Sequence, residues 1–198
     1  MKILIPALMV TLCMGVAAQS RHDPLNPHEI EQMRASAQEP ARRIELLVAF
    51  ARDRALAVER LRAMSAPNGV KIGDLLTEFA AIIDELDDNL DMYNSHSEDL
   101  RRPLKRVLQA EEEFQQKLKA FDSTTPLQKR EFAAALDDAT DSLDSSSNAA
   151  RRMLADQIAK KGEEKVAEKE ARQGGKKKNG DGQPPPDDSS AGQNPLER

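Results

Sequence analysis

The scarcity of glycine in the middle of the chain is the feature that most limits what this sequence can fold into. Of the nine glycines among 198 residues, only Gly69 and Gly73 lie between residues 18 and 161. A strand-rich domain needs turn residues about every 8 to 12 positions. A stretch with two glycines only four positions apart does not supply them, so we expect this part of the chain to be helical.

The first 18 residues have the pattern of a secretory signal peptide. Lys2 forms a charged n-region, residues 3–16 are mostly apolar, and Ala18 ends an A-x-A-like cleavage site. Cleavage after Ala18 would remove Cys13, the one cysteine of the chain, and with it any disulfide or thiolate chemistry. The sequence therefore predicts a periplasmic or secreted protein, with membrane contact only if the signal segment stays uncleaved.

Prolines and one turn signal, Ala66 to Gly69, divide the rest of the chain. We expect a flexible N-terminus at 19–26, a helical bundle domain at 27–160 and a charged, Gly/Pro-rich disordered tail at 161–198. The tail has too few apolar residues to offset the entropy lost on ordering. The predicted helices cover residues 27–38, 40–65, 72–94, 97–122, and 126 to at least 160.

Each long helical segment carries an apolar stripe in which the spacing alternates between three and four residues. An average repeat of 3.5 residues is typical of the seams of coiled coils and four-helix bundles. Short connections make successive helices antiparallel. The predicted fold is therefore all-α: an antiparallel up-down four-helix bundle with a short N-terminal helix, a long last helix and a disordered C-terminal tail. The last stripe thins to Ala and Ser after Leu143, which leaves a seam that a partner helix could join.

Two charged residues interrupt these stripes, Arg54 in the first long helix and Glu111 in the third. The first and third helices of an up-down bundle run parallel, which brings both residues to a similar level. One hypothesis is a partly buried Arg54–Glu111 ion pair that fixes the register of the bundle. The alternative is that Ala55 and Leu108 take the inward positions while the charged groups extend outward.

The densest charged feature is acidic, with nine carboxylates and no Lys or Arg between residues 74 and 99. Four of the carboxylates are spaced three and four apart and share a helix face, where they could hold a divalent cation: Asp84, Asp87, Asp88 and Asp91. The alternative is a solvated acidic face. The sequence has neither a glycine-containing calcium loop nor a Glu-x-x-His pair.

A basic cluster follows the acidic run and consists of Arg101, Arg102, Lys105 and Arg106. It either compensates the acidic residues before it or forms a patch for phosphate or lipid headgroups. The net charge of −5 argues against nucleic acid as a partner. His96 stands between two serines, but neighbours in one loop do not form a catalytic triad, and we expect it to be a loop residue at a helix end.

Several segments of the chain, taken in order, resemble a group of uncharacterised exported helical proteins of bacteria. These segments are EIEQMR at 29–34, PARRIELLVAF at 40–50, DELDDNLDMY at 84–93 and DLRRPLK at 99–105. The resemblance covers residues 25–122 and implies no activity. It does imply that the joints at Pro40 and at DLRRPLK are features of the fold.

Sequence motifs for catalysis or cofactor binding are missing: there is no phosphate-binding glycine loop, zinc-ligand spacing or nucleophile elbow. The sequence therefore predicts a non-enzymatic interaction or scaffold protein without a cofactor, which binds a protein partner or self-associates through its helical seams. The alternative is a divalent-cation-binding periplasmic protein that uses the acidic face.

Overall fold

The computed structural model describes residues 23–64 and 68–178, and it is all-helical over these residues, which confirms the predicted class. The helices are α1 (Pro27–Ala35), α2 (Pro40–Ala63), α3 (Gly69–Ser95), α4 (Arg101–Lys119), α5 (Pro126–Lys129) and α6 (Ala133–Lys178), with a 3-10 turn at Ala120–Ser123. Within the described ranges, no helix combines the length and apolarity that crossing a membrane would need. The predicted signal peptide at 1–18 lies outside the described residues.

The short helix α1 begins with a capping box. The Asn26 side chain accepts hydrogen bonds from the backbone N–H groups of His28 and Glu29, and the Glu29 carboxylate accepts from the N–H of Asn26. These bonds satisfy amides that the first turn of a helix leaves unpaired. Residues 23–26 of the predicted flexible N-terminus therefore lead directly into a capped helix, whereas residues 19–22 lie outside the described part.

The joint between α3 and α4 differs from the prediction that a helix starts at Ser97. Ser97 has a φ of 63° and follows the last residues of α3, and the N–H of Glu98 bonds to Tyr93 O at 3.1 Å. This is the left-handed end of a helix known as a Schellman motif. Since α4 begins only at Arg101, Pro103 falls in its first turn, where its missing N–H removes no helical hydrogen bond.

Gly69 allows a close approach between two segments, whereas Gly73 lies at ordinary contact distance from the same turn. Gly69 begins α3 and Gly73 lies inside it, whereas the predicted helix began at residue 72. A Cβ on Gly69 would lie 2.8 Å from Glu131 Cβ, and one on Gly73 would lie 3.5 Å from Phe132 Cβ. The turn at residues 130–132, which separates α5 from α6 within the predicted helix from 126, thus packs against the start of α3.

The four long helices pack pairwise into a helical bundle. α2 contacts α3 and α4, and α6 contacts the same two helices. α2 and α4 run parallel, because Glu45 pairs with Arg106 and, further along both helices, Glu59 pairs with Lys117. In the core, the Phe79 ring of α3 meets the Phe114 ring of α4 edge-to-face, with centroids 5.3 Å apart. The core thus joins helices that are not neighbours at the bundle surface.

Helix α6 is 46 residues long, about 69 Å, whereas α3 beside it has 27 residues, about 40 Å. Gln157 of α6 lies at the end of α3, since its amide contacts Asn94. Residues 159–170 are all exposed, and Lys160, Lys161 and Glu164 still line a shallow pocket with Asp99 and Arg101 at the joint between α3 and α4. Beyond Glu164, α6 continues past the bundle. The predicted boundary of the tail at residue 161 falls inside this helix, because Lys, Glu and Ala have high helix propensity. Residues 179–198 lie outside the described part.

Candidate functional site

Arg54 binds two carboxylates and one carbonyl from three different parts of the chain. Its guanidinium donates to both oxygens of Glu29 in α1, to Oε2 of Glu78 in α3 and to the carbonyl of Pro24, each at 2.7 Å. The Arg54 and Glu29 side chains are 12% and 7% exposed. Arginine suits this position because its planar fork can bind one carboxylate with two parallel hydrogen bonds. Arg54 therefore ties α1 to α2 and α3.

The ionisation of this cluster follows from its contacts. Burial raises the pKa of Glu29, but the hydrogen bonds from Arg54 and from the Asn26 backbone outweigh burial and hold this pKa below its ordinary value. The hydrogen bond to Glu29, with a further one to Glu78, raises the pKa of Arg54. Arg54 and Glu29 are thus both charged at neutral pH, and their ion pair connects α1 to α2.

Glu111 is the second charged residue of the stripes, and the structure does not bring it to Arg54. Glu111 is 1% exposed and faces α6, where Ser146 Oγ donates to Oε1 at 2.8 Å and Ser147 Oγ donates to Oε2 at 2.9 Å. Arg54 lies on the side of α2 that faces α1 and α3, so the predicted Arg54–Glu111 pair is wrong. The outward alternative also fails for Glu111, which is buried.

The same contacts explain the thin Ala/Ser stripe of α6. Ser146 and Ser147 are each 1% exposed, and Leu143 and Ala150 are fully buried around them. The hydroxyls are placed in the core because a buried carboxylate needs hydrogen-bond donors. Up to Met153, this stripe is therefore occupied by α3 and α4 and offers no open seam to a partner helix.

Asp87 is the one predicted metal-ligand candidate that turns partly inward. Its Oδ1 atom is buried and accepts no hydrogen bond from the described residues. Burial raises the pKa of Asp87, and the charges of Asp91, Asp88 and Asp84 raise it further. Burial likewise raises the pKa of Glu111. The hydrogen bonds from the two serines oppose this rise, and the negative charge of Asp87 adds to it.

The other members of the predicted metal site, Asp84, Asp88 and Asp91, are exposed on α3. Among the described residues, no three His, Cys, Asp or Glu side chains converge so as to hold a metal ion. Three- and four-residue spacing places these carboxylates along one face of α3, but a metal site also needs ligands that converge on one point. The four aspartates therefore share a face without forming a ligand set.

The predicted basic patch is divided by its own ion pairs. Arg101 binds Asp99, with a distance of 2.8 Å between Nε and Oδ1, and this bond holds the pKa of Asp99 below its ordinary value. Arg106 pairs with Glu45 of α2, while Arg102 and Lys105 are exposed. The Arg101–Asp99 contact compensates an acidic residue of the preceding run, whereas Arg106 pairs with an acidic residue outside that run.

Gln157 is a structural residue that sequence reasoning missed. Its side-chain amide donates to Asn94 Oδ1 at 3.0 Å and to the carbonyl of Glu98 at 2.9 Å, and its oxygen accepts from the N–H of Leu100 at 2.9 Å. One glutamine of α6 thus fixes the joint between α3 and α4. Gln157 is polar and stands next to Ile158, so the apolar periodicity of α6 does not indicate that it faces the bundle.

A second missed contact lies at a groove of about 460 Å³ between α1, α2 and α3. Met33, Leu47 and Ile82 form its apolar wall. At its rim, Arg43 Nε donates to Asn89 Oδ1 at 2.8 Å and Arg43 pairs with Glu85. The groove has the size of a small-molecule site, but both arginines that line it already have acidic partners, since Arg43 pairs with Glu85 and Arg34 pairs with Glu31.

The comparisons with known proteins add no assignment. A scan against models of protein families, a search of curated proteins and a search of solved structures each returned no match. The functional conclusion therefore depends on the contacts described above.

Proposed function

We propose that this chain is an exported helical interaction or scaffold protein without catalytic activity, with a body formed by an up-down four-helix bundle of α2, α3, α4 and α6. The observation that carries the proposal is that α6 has two parts, one packed in the bundle and one exposed to solvent. The helix packs in the bundle as far as Gln157, and all side chains of residues 159–170 are then exposed. A helix that is polar on most sides and extends beyond its bundle has the character of a segment that bridges solvent between two bodies, which is one of the roles of such helices.

The buried charged groups support the same conclusion. Arg54 bridges three parts of the chain, and Glu111 is bound by two serines within the core. Both groups serve the fold, whereas a catalytic acid or base must reach a substrate. The cation-binding alternative has less support, because the aspartates of α3 do not converge on one point among the described residues. Export depends on the predicted signal peptide at 1–18.

Fractionation with lysine crosslinking tests the proposal. The tagged full chain should be recovered outside the cytoplasm. Its intact mass should be that of a chain whose first residue is Gln19. Crosslinks to other polypeptides should concentrate on the exposed Lys165 and Lys169 of the projecting segment. The exposed Lys105 of the bundle is the matched control. A cytoplasmic chain that keeps residues 1–18, or crosslinks spread evenly between bundle and projection, would contradict the proposal.

A further inference from the structure

Helix α1 is attached to the bundle by one apolar side chain and one ion pair. Its buried residues are Met33 and Glu29, and its main helix contacts are with α2. Helices shorter than about 12 to 15 residues are marginal in water, so α1, with nine residues, depends on this attachment. A buried ion pair adds little net stability, because removing two charges from water costs about as much free energy as their attraction returns. The attachment of α1 is therefore weaker than the packing of the long helices.

The groove of about 460 Å³ lies between α1 and the bundle. Residues 23–37 supply one side of it, and Arg43, Leu47 and Ile82 lie on the other side. Well-packed protein interiors contain few gaps larger than a water molecule. The apolar sides of α1 and of the bundle are thus only partly in contact.

The two ends of α1 are held in different ways. At its C-terminal end, the exposed residues 37–39 lead to Pro40, where α2 begins. At its N-terminal end, Arg54 binds both carboxylate oxygens of Glu29 and the carbonyl of Pro24. The remaining bond of Arg54 goes to Glu78 of α3, which belongs to the bundle. Releasing α1 therefore leaves Arg54 with one carboxylate partner.

We propose that α1 is a strap that opens from the bundle as a unit, with residues 37–39 as its hinge and the Arg54–Glu29 ion pair as its catch. Opening separates the two sides of the groove and exposes Leu47 and Ile82, which are fully buried while the strap is closed. The four long helices stay folded in the open form. The strap and the projecting part of α6 are different parts of the chain, so this proposal and the proposed function can each fail without the other.

Hydrogen exchange of the full chain, measured by mass spectrometry at urea concentrations below the unfolding transition, tests the opening. The amide hydrogens of residues 30–35 should exchange faster than those of α3. Their exchange should change little with urea, because opening α1 exposes little surface. The exchange of α3 should rise steeply with urea, because it requires unfolding of the bundle.

The variant Ile83→Val separates opening of α1 from unfolding of the bundle. Ile83 is fully buried in α3 and is not among the residues that line the groove. Loss of one methylene group from the core should make exchange in α3 about two- to tenfold faster. Exchange in α1 should stay within twofold of the native rate, because the bundle is intact when the strap opens.

The variant Glu29→Gln tests the catch. Glutamine can still accept the N–H of Asn26 in the capping box, but it offers no charge to Arg54. Exchange in α1 should become at least tenfold faster. Glu31 is the matched control, since it is exposed on the same helix with a loose pair to Arg34 at 3.7 Å. Glu31→Gln should leave exchange in α1 within twofold of the native rate.

Exchange in α1 with the rate and urea dependence of α3 would overturn the strap, since α1 would then unfold only with the bundle. An equal acceleration of α1 and α3 in Ile83→Val would have the same meaning. Exchange in α1 without any protection would also overturn the strap, because α1 would not be docked. An unchanged rate in Glu29→Gln would remove the ion pair as the catch.

Discussion

Replacing Arg54 by methionine is expected to lower the free energy of unfolding at pH 7 by about 3 to 5 kcal/mol. Methionine keeps the length of the aliphatic stem but leaves the buried Glu29 carboxylate without its main partner. Removing one partner of a buried ion pair leaves the charge of the other partner unpaired and largely shielded from water. Urea denaturation followed by circular dichroism measures the loss.

The cost of Arg54→Met depends on pH in a defined direction. In the native chain the pKa of Glu29 lies below its ordinary value of 4.5, so the ionised carboxylate adds stability above that value and this stability is lost as pH falls. In the variant, Glu29 can be protonated at little cost at low pH. The difference between native chain and variant should therefore be smaller near pH 4 than at pH 7.

Two further variants keep the Arg54 prediction specific. Arg42 lies on the exposed side of α2 with a loose pair to Glu45 at 3.9 Å, so Arg42→Met should change stability by less than about 0.5 kcal/mol. Adding Glu29→Gln to Arg54→Met should recover part of the loss, because the more deeply buried of the two carboxylates that lose Arg54 is then uncharged. A loss below about 1 kcal/mol for Arg54→Met would show that the network contributes little.

Glu111→Gln is expected to raise the free energy of unfolding at pH 7 by about 1 to 2 kcal/mol. Glutamine has the same shape and can pair with both Ser146 and Ser147, but it carries no charge into the core. The pKa of Glu111 is raised by burial above its ordinary value of 4.5. The folded chain therefore binds more protons than the unfolded chain above that value, and its stability falls as pH rises.

Denaturation of the native chain and of Glu111→Gln at several pH values measures this effect. The two curves should converge near pH 4, where glutamate is protonated, and separate toward pH 7. Glu112 is exposed on the same turn of α4, so Glu112→Gln should change stability by less than about 0.5 kcal/mol. If Glu111→Gln destabilised the chain at pH 7, the two serine hydrogen bonds would outweigh the cost of burying the charge.

The apolar core of the bundle could be predicted from the sequence, because stripe periodicity depends only on local spacing. Leu86, Leu104 and Leu143 each recur at three- and four-residue spacing with other apolar residues of their helices, and each is fully buried. The helix starts at Pro27 and Pro40 were predicted for the same reason, since capping and proline geometry are local.

The partners of the charged stripe residues could not be predicted, because they depend on which helices are neighbours. Arg54 faces α1 and α3, and Glu111 faces α6, although both interrupt their stripes at a similar level. One signal was available: Ser146 interrupts the α6 stripe, and a polar interruption on a second helix indicates a partner for a buried carboxylate. The thinning of the stripe to Ala and Ser predicts an open seam, but α3 and α4 occupy it up to Met153.

Site-specific photocrosslinking in cells tests the central claim that the projecting part of α6 is the contact surface. A photoreactive residue replaces either Val166 on the projection or Val70 at the start of α3, two valines that are 56% and 64% exposed. We expect a discrete crosslinked product at position 166 and none at position 70. No product at position 166, or an equal product at position 70, would contradict the account.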